Sequence, residues 1–144
     1  MLENNKILLA TSNAGKLKEF KRMFTNFEIK SQGELGIEEP IEDGLTFLEN
    51  ALIKARHGAE KSGMFSVADD SGIVVPGLNF APGIYSARYA GESASDLDNR
   101  NKIIEELNKL NVKSLPAYYV CVLVGVRSAD DPMPIFSSGC LLYT

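Results

Sequence analysis

Three segments of this 144-residue chain combine residue types that can hold or hydrolyse a phosphate compound. The first lies between a short apolar run and a run with helical spacing, and it consists of Thr11, Ser12, Asn13, Ala14, Gly15 and Lys16. A helix start presents backbone N–H groups and the positive end of the helix dipole, and Lys16 adds a full charge. Leu17 stands where a P-loop has Ser or Thr, so the segment is either a different anion-binding turn or an ordinary capped turn.

The second segment places an acid and a base on either side of a predicted helix start. Thr46 precedes Glu49 by three residues, which is the spacing of a capping box. Glu42 lies just before that cap and is a candidate oxygen ligand for a hard cation. Lys54 falls about two turns into the helix, where its ammonium could reach a phosphate. The competing interpretations are an acid that favours the helix dipole and a solvated lysine.

The third segment is Asp69-Asp70-Ser71-Gly72, between two apolar runs. Adjacent strand residues point to opposite faces, so one of the two carboxylates is expected to face a site, where it could bind Mg²⁺ or accept a proton from water. The same residues form turns readily, and a turn between two short strands is the alternative. A hydrophobic-Asp-Ser-Gly pattern also occurs in aspartic proteases, but three amphipathic helical patterns argue against that mostly β architecture.

Strand-like and helix-like patterns alternate along the chain, which predicts an α/β or α+β fold. Strands are expected at 6–10, 28–30, 65–68, 73–75, 117–126 and from 135, and helices at 16–27, 46–62 and 95–110. The apolar stripes that should face the sheet are Leu48, Leu52, Ala55 and Ala59 in the second helix and Leu97, Ile104, Leu107 and Leu110 in the third. The expected architecture is a curved mixed sheet with helices packed against it.

Composition excludes several classes of protein. The net charge of −4 argues against a broad basic face for a nucleic-acid polymer. No apolar stretch reaches 18 residues and the N-terminus lacks a signal-peptide pattern, so neither a membrane span nor secretion is expected. Two cysteines are too few for a disulfide scaffold or a cysteine zinc site, which favours a reducing cytoplasm. The length predicts one domain over residues 1–144.

Four segments, taken in order, resemble one family closely. They read TSNAGK, GLTFLENALIKA, ADDSG and APGIYSARYAG, and the resemblance runs from Ile7 to about Phe136. The family is that of the Ham1-type inosine/xanthosine triphosphate pyrophosphatases. It implies an α/β fold with a long curved mixed sheet, two lobes around a cleft, and a homodimer. It also implies hydrolysis of purine nucleoside triphosphates such as ITP, dITP and XTP to the monophosphate and pyrophosphate, with Mg²⁺ as cofactor and Mn²⁺ as an alternative.

The resemblance assigns a role to each candidate residue. Thr11 to Lys16 would hold the triphosphate, with Asn13 and Lys16 in direct contact. Glu42, Asp69 and Asp70 would bind the metal ion, Asp69 through the ion's water shell. Asp70 would also accept a proton, and Ser71 and Lys54 would contact substrate.

The end of the chain departs from the family. The Phe-Gly-Tyr-Asp and Ser-His-Arg motifs that hold the purine base in the family do not occur, and residues 138–144 do not resemble it. The expectation is therefore a Ham1-like domain incomplete at its C-terminal end. Two alternatives stay open: a nucleotide-binding or inactive protein of this fold that lacks the base-recognition segment, and a Maf-like nucleotide pyrophosphatase.

Overall fold

The computed structural model describes residues 5–143 and confirms the predicted alternation of strands and helices. The elements in chain order are β1 (Lys6–Leu9), α1 (Ala14–Met23), β2 (Glu28–Ser31), α2 (Phe47–Ser62), β3 (Phe65–Val74), α3 (Asp96–Lys109), β4 (Ala117–Val126) and β5 (Ile135–Tyr143). Short 3₁₀ turns occupy Gly33–Leu35, Pro76–Leu78 and Gly83–Arg88. The strands form one mixed sheet in the order β2-β1-β3-β4-β5, and β1 pairs in parallel with both β2 and β3.

The chain divides into two compact units. The first comprises residues 5–70 and 122–137, and the second comprises residues 71–121 and 138–143. The predicted cleft and the predicted single domain stay predictions. None of the helices within residues 5–143 has both the length and the apolar character needed to cross a membrane.

Residues of β1 alternate between two packed faces of the first unit. Ile7 and Leu9 belong to one apolar cluster with Phe20 of α1 and Ile29 of β2. Leu8 lies on the other face, which α2 covers. Because both faces of β1 are covered, residues 7–9 are all apolar and buried, as is usual for parallel strands.

The helix α2 buries Ala55 and Ala59 of the predicted stripe, but not Leu48 and Leu52. Its ends are as expected, with Thr46 as N-cap and Gly63 as C-cap in the left-handed conformation, φ 65°. The buried positions, however, are small or amide side chains, namely Asn50, Ala51, Ala55, Gly58 and Ala59. The predicted Leu48 is exposed. Small side chains occupy the buried face because they let the helix backbone approach the sheet closely. A Cβ at Gly58 would lie 2.7 Å from Leu8 Cδ2 and 2.6 Å from Ser66 Oγ.

Replacing Gly58 with alanine tests this close approach. Alanine favours a helix over glycine by about 1 kcal/mol. We nevertheless expect Gly58→Ala to lower the free energy of unfolding by about 1–3 kcal/mol, because the added methyl group overpacks the contact with β1 and β3. Urea unfolding measures the change, with the exposed Glu60→Ala in the same helix as the control. A stabilised Gly58→Ala variant would contradict the close packing.

The strand β3 runs without a break from Phe65 to Val74, so the predicted turn at residues 69–72 is wrong. Gly72 serves packing instead of chain reversal. A Cβ at Gly72 would collide with Ser86 Oγ and lie 2.6 Å from the Gly83 carbonyl oxygen. The Ser86 hydroxyl also accepts a hydrogen bond from the Ile73 backbone N–H at 2.9 Å. Strand pairing therefore overrides the local turn preference of these residues.

In the second unit, α3 begins where a helix is predicted, at a capping box formed by Ser95 and Asp98. Its predicted apolar stripe is largely exposed, including Leu97, Ile104 and Leu110. The helix instead holds the segment before it through Asn99, which accepts from the Ala90 N–H at 2.8 Å and donates to the Ala87 carbonyl oxygen at 3.0 Å. Hydrogen bonds from a buried amide, not an apolar stripe, therefore set which face of α3 is covered.

Asp131 anchors the turn between β4 and β5. Its carboxylate accepts from the backbone N–H groups of Arg127 and Met133, both at 2.9 Å, and from the Arg127 guanidinium at 2.9 and 3.1 Å. These hydrogen bonds, led by the one from the Arg127 N–H, hold the pKa of Asp131 below its ordinary value of 3.8. The strand that follows, predicted from Ile135, is confirmed, and every residue of β5 is exposed.

The lowered pKa of Asp131 predicts an acid-dependent contribution to stability. A carboxyl group whose pKa is lower in the folded state stabilises the fold above pH 3.8, and that contribution is lost as the pH falls through the folded value. We expect Asp131→Asn to be less stable than the wild type at neutral pH, and the gap to narrow as the pH falls below 3.8. Denaturant unfolding at several pH values measures the gap, and a pH-independent gap would contradict this origin.

Candidate functional site

Most of the predicted site residues of the first unit gather near the carboxyl ends of its parallel strands. The loop with Thr11 follows β1, Gln32 follows β2, and Asp69 and Asp70 lie beyond the part of β3 that pairs with β1. Parallel strands point the same way, so their carboxyl ends share one edge, where ligands of open α/β sheets bind. Lys54 joins this edge through a contact with Asp70, and Glu42 joins it through a contact with Lys54.

Asn13 caps the start of α1 with its own side chain. Its Oδ1 accepts from the backbone N–H groups of Gly15 at 2.9 Å and Lys16 at 3.1 Å, and its own N–H donates to Thr11 Oγ1 at 3.1 Å. The sequence predicts these N–H groups as free donors for phosphate, whereas the structure has them bonded to Asn13. No acidic side chain occupies the first turn of α1, so the positive end of its dipole is not offset there.

Lys16 forms an ion pair across the edge of the sheet. Its Nζ lies 2.5 Å from Asp69 Oδ2, and the Asp69 side chain is only 6% exposed. A carboxylate this deeply buried requires a charged or hydrogen-bonding partner. The pair therefore ties the first turn of α1 to β3 and holds the ammonium of Lys16 beside the loop of residues 11–13.

Lys54 lies between two further carboxylates. Its Nζ is 3.3 Å from Glu42 Oε2 and 3.7 Å from Asp70 Oδ1, and its side chain is 15% exposed. The structure thus brings Glu42 and Lys54 of the second segment together with Asp70 of the third. All three groups belong to the first unit.

Asp69 and Asp70 leave β3 by opposite faces, as adjacent strand residues must. Val67 packs in the apolar cluster that includes Phe20 of α1, and Asp69, two residues later, meets Lys16 of the same helix. Asp70 meets Lys54 of α2. Within residues 5–143, no group of three or more His, Cys, Asp or Glu side chains is arranged to hold a metal ion. Glu42 and Asp70 meet around one ammonium, whereas Asp69 is paired with Lys16, and the metal-binding roles implied for these three acids stay predictions.

Two contacts to α2 hold the segment that carries Glu42. The amide oxygen of Asn50, a residue 1% exposed, accepts from the Gly44 N–H at 2.9 Å. A Cβ at Gly44 would lie 2.6 Å from that oxygen, so a glycine is needed for the approach. His57 Nε2 lies 2.9 Å from the Glu38 carbonyl oxygen. His57 thus has a positioning contact, in keeping with its lack of a second histidine or cysteine at ligand spacing.

Gln32 connects the loop of residues 11–16 to Glu39, in the segment that precedes Glu42. Its Nε2 donates to Ser12 Oγ at 3.1 Å and to Glu39 Oε1 at 3.3 Å, and the residue is 2% exposed. Sequence reasoning missed this residue. A polar side chain directly after β2, next to the strand that precedes the loop, is the signal that could have found it.

Ser71 belongs to the second unit, where its hydroxyl accepts from Tyr119 Oη at 3.3 Å. Arg88 of the same unit lies 5.2 Å from the ring centroid of Tyr85 and 4.0 Å from Glu92 Oε1. The substrate role of Ser71 stays a prediction.

Comparison with known proteins decides the family. A model described as Ham1 family matches residues 7–141. The chain belongs to the Ham1 family. The match reaches beyond Phe136, where the resemblance read from the sequence was expected to end. This membership confirms the prediction from the four ordered segments and separates the chain from the Maf-like alternative.

Curated relatives and solved structures agree with the assignment of this Ham1 chain. It is 52% identical over 136 residues to a dITP/XTP pyrophosphatase of Halorhodospira halophila, and the match covers 93% of the chain and 68% of that protein. A dITP/XTP pyrophosphatase of Haemophilus influenzae is 50% identical, with 93% and 70% covered. The structure of a HAM1 protein from Coxiella burnetii superposes on this one with a TM-score of 0.88 at 38% identity. The superposition covers 99% of this chain and 72% of the Coxiella burnetii chain.

The contacts of Gln32 predict a local effect on the loop of residues 11–16. Methionine has a similar length but no amide, so Gln32→Met removes the donor to Ser12 without opening a large cavity. A lost hydrogen bond of about 1 kcal/mol raises the local opening equilibrium about fivefold. We expect backbone amides of residues 11–16 to exchange with solvent several-fold faster. Hydrogen exchange measures this, and the exposed Lys18→Met is the control. Unchanged exchange in the loop would contradict the positioning role of Gln32.

Proposed function

We propose that this Ham1 chain hydrolyses non-standard purine nucleoside triphosphates such as ITP, dITP and XTP to the monophosphate and pyrophosphate, and so cleanses the nucleotide pool. Relatives at 52% and 50% identity that carry the name dITP/XTP pyrophosphatase support the reaction. The observation that carries the proposal is the pairing of Glu42 and Asp70 around Lys54 near the edge that also holds Lys16. Polyphosphate hydrolysis needs such a combination of cations and carboxylates.

The residues of the first unit fit a divalent metal ion, on which dITP/XTP pyrophosphatases depend. We propose Mg²⁺, with Mn²⁺ as the alternative, held by Glu42 and Asp70. Mg²⁺ is commonly bound through only one or two carboxylates together with substrate phosphates, so two acids suffice. When bound, such an ion neutralises phosphate charge and polarises the bond to be broken. Asp69 is paired with Lys16 and serves in this proposal to position that lysine.

The remaining steps belong to side chains of the chain itself. Lys16 and the start of α1 would hold phosphate oxygens, with the neighbouring Thr11, Ser12, Asn13, Ala14 and Gly15 shaping the loop around them. Asp70 would accept a proton from the attacking water as the water oxygen bonds to the α-phosphorus. The bond from that phosphorus to the bridging oxygen breaks and pyrophosphate leaves. Lys54 would stabilise charge on the phosphates, and Ser71 would contact the substrate.

The resemblance also supports two statements about context. We propose that the protein acts as a homodimer and in the cytoplasm, where nucleoside triphosphates are made and used. Neither statement changes the chemistry assigned to the first unit. The reaction is therefore the part of the proposal to test first.

The reaction is tested with ITP, Mg²⁺ and water labelled with ¹⁸O. Attack at the α-phosphorus should give IMP and pyrophosphate in equal amounts, with the ¹⁸O in IMP. Asp70→Asn should lower kcat by about 10²–10⁴-fold, the usual contribution of a general base. Release of inorganic phosphate, or ¹⁸O in pyrophosphate, would refute the proposed reaction.

A matched acidic residue controls for the loss of one negative charge. Asp130 is exposed and lies in the turn before β5. Asp130→Asn should keep the activity of the wild type. Circular dichroism should show that both variants retain the wild-type helix content, so that a loss confined to Asp70→Asn reports on chemistry.

A further inference from the structure

One ammonium contacts both acids of the proposed metal pair. Lys54 Nζ lies 3.3 Å from Glu42 Oε2 and 3.7 Å from Asp70 Oδ1, and its side chain is 15% exposed. The Lys54 side chain is therefore held in place by these contacts, since the side chain of a solvated lysine would be far more exposed. Its partners come from different parts of the chain, one before α2 and one from β3.

A divalent cation and this ammonium cannot both use the same two carboxylates at full strength. Like charges a few ångströms apart repel, and the repulsion is strong where water is largely excluded. Binding of a cation to Glu42 and Asp70 must therefore break or weaken the contacts of Lys54. The freed ammonium stays tethered to α2 beside the cation, so it needs a new anionic partner nearby. A polyphosphate at the same edge supplies that partner.

We propose that Lys54 competes with the divalent cation for Glu42 and Asp70, and that release of Lys54 to the phosphates of the substrate couples cation binding to substrate binding. The inference rests on the proposed function for the identity of the site and adds a role for one residue. Cation alone binds weakly, because Lys54 must be displaced without compensation. Cation and triphosphate together bind well, because the phosphates accept the displaced ammonium and the cation releases that ammonium to the phosphates. By linkage, each ligand raises the affinity for the other by the same factor. Lys54 thus makes the site respond to the cation and the triphosphate together.

The second lysine of the site differs in a way that helps the test. Lys16 pairs with Asp69, whose side chain leaves β3 by the opposite face from Asp70. Cation binding at Glu42 and Asp70 therefore has no direct competitor in Lys16. In ¹⁵N spectra of lysine side chains, Mg²⁺ added alone should shift the Lys54 signal and move the Lys16 signal much less.

The decisive measurement is the affinity for Mn²⁺ alone, in the full chain without nucleotide. Lys54→Met keeps the apolar stem and removes the charge, so it should bind Mn²⁺ roughly 10-fold more tightly than the wild type, within the usual range of about 5- to 150-fold for coupled sites. Lys54→Arg keeps the charge and should bind Mn²⁺ weakly. Lys61→Met removes a lysine of the same helix that forms an exposed contact with Glu60, and it controls for net charge. It should match the wild type.

The reverse half of the coupling uses an α,β-methylene analogue of ITP, which cannot be cleaved at that bond. Its affinity is measured in EDTA and in saturating Mg²⁺. The gain from Mg²⁺ should be smaller in Lys54→Met than in the wild type. Lys54→Gln repeats both measurements if Lys54→Met does not fold.

Several outcomes overturn the inference. Mn²⁺ affinity in the folded charge-free variants that equals or falls below the wild-type value excludes competition, and so does the absence of Mn²⁺ binding in all variants. If Lys61→Met binds Mn²⁺ as tightly as Lys54→Met does, the gain in affinity comes from the change in net charge and not from competition. These results are distinct from failure of the proposed function: tighter Mn²⁺ binding in Lys54→Met, with no pyrophosphate released from ITP by the wild type, keeps the competition and rejects the reaction.

Discussion

Two adjacent carboxylates on a buried strand set the terms for the rest of the first unit. Asp69 and Asp70 must leave β3 by opposite faces, and each face is covered by a helix. A carboxylate buried on such a face is costly unless a positive charge meets it there. The chain meets this constraint once on each side, with Lys16 from α1 and Lys54 from α2. The two helices and the strand between them are therefore fixed by electrostatics as well as by apolar packing.

The two ion pairs differ in what else they touch, and the difference assigns their roles. Among the residues that the structure describes, Lys16 pairs with one carboxylate, and the nearby backbone N–H groups of Gly15 and Lys16 itself are bonded to Asn13. Lys54 has two carboxylate partners, and the segment of the second is held by Asn50 and Gly44. A lysine with one buried partner anchors an element. Lys54 is shared between the two acids that are proposed to hold the divalent ion, so in that proposal the charge balance there depends on which cation is present.

Sequence reasoning succeeded where the signal is local and failed where it depends on distant contacts. Thr46 and Gly63 mark the ends of α2 through side-chain capping and a left-handed conformation, both of which are set by nearby residues. The turn predicted at residues 69–72 was wrong because pairing within the sheet outweighs local propensity. Gln32 and Asn50 escaped notice for a similar reason: the partners of a buried amide are chosen by the fold, and neither Ser12 nor Gly44 is recognisable as a partner from spacing alone.

The small residues of α2 explain how its lysine reaches β3. Gly58 and the neighbouring alanines let the helix backbone lie close to β1 and β3, where a leucine stripe would have held it further out. Lys54 is one turn before Gly58 and one residue before the buried Ala55, so it lies at the border of the packed face. From that border a long side chain can run along the sheet and place its ammonium beside Asp70. The small residues that occupy the buried face of α2 in place of the predicted leucines therefore also help to bring Lys54, Glu42 and Asp70 together.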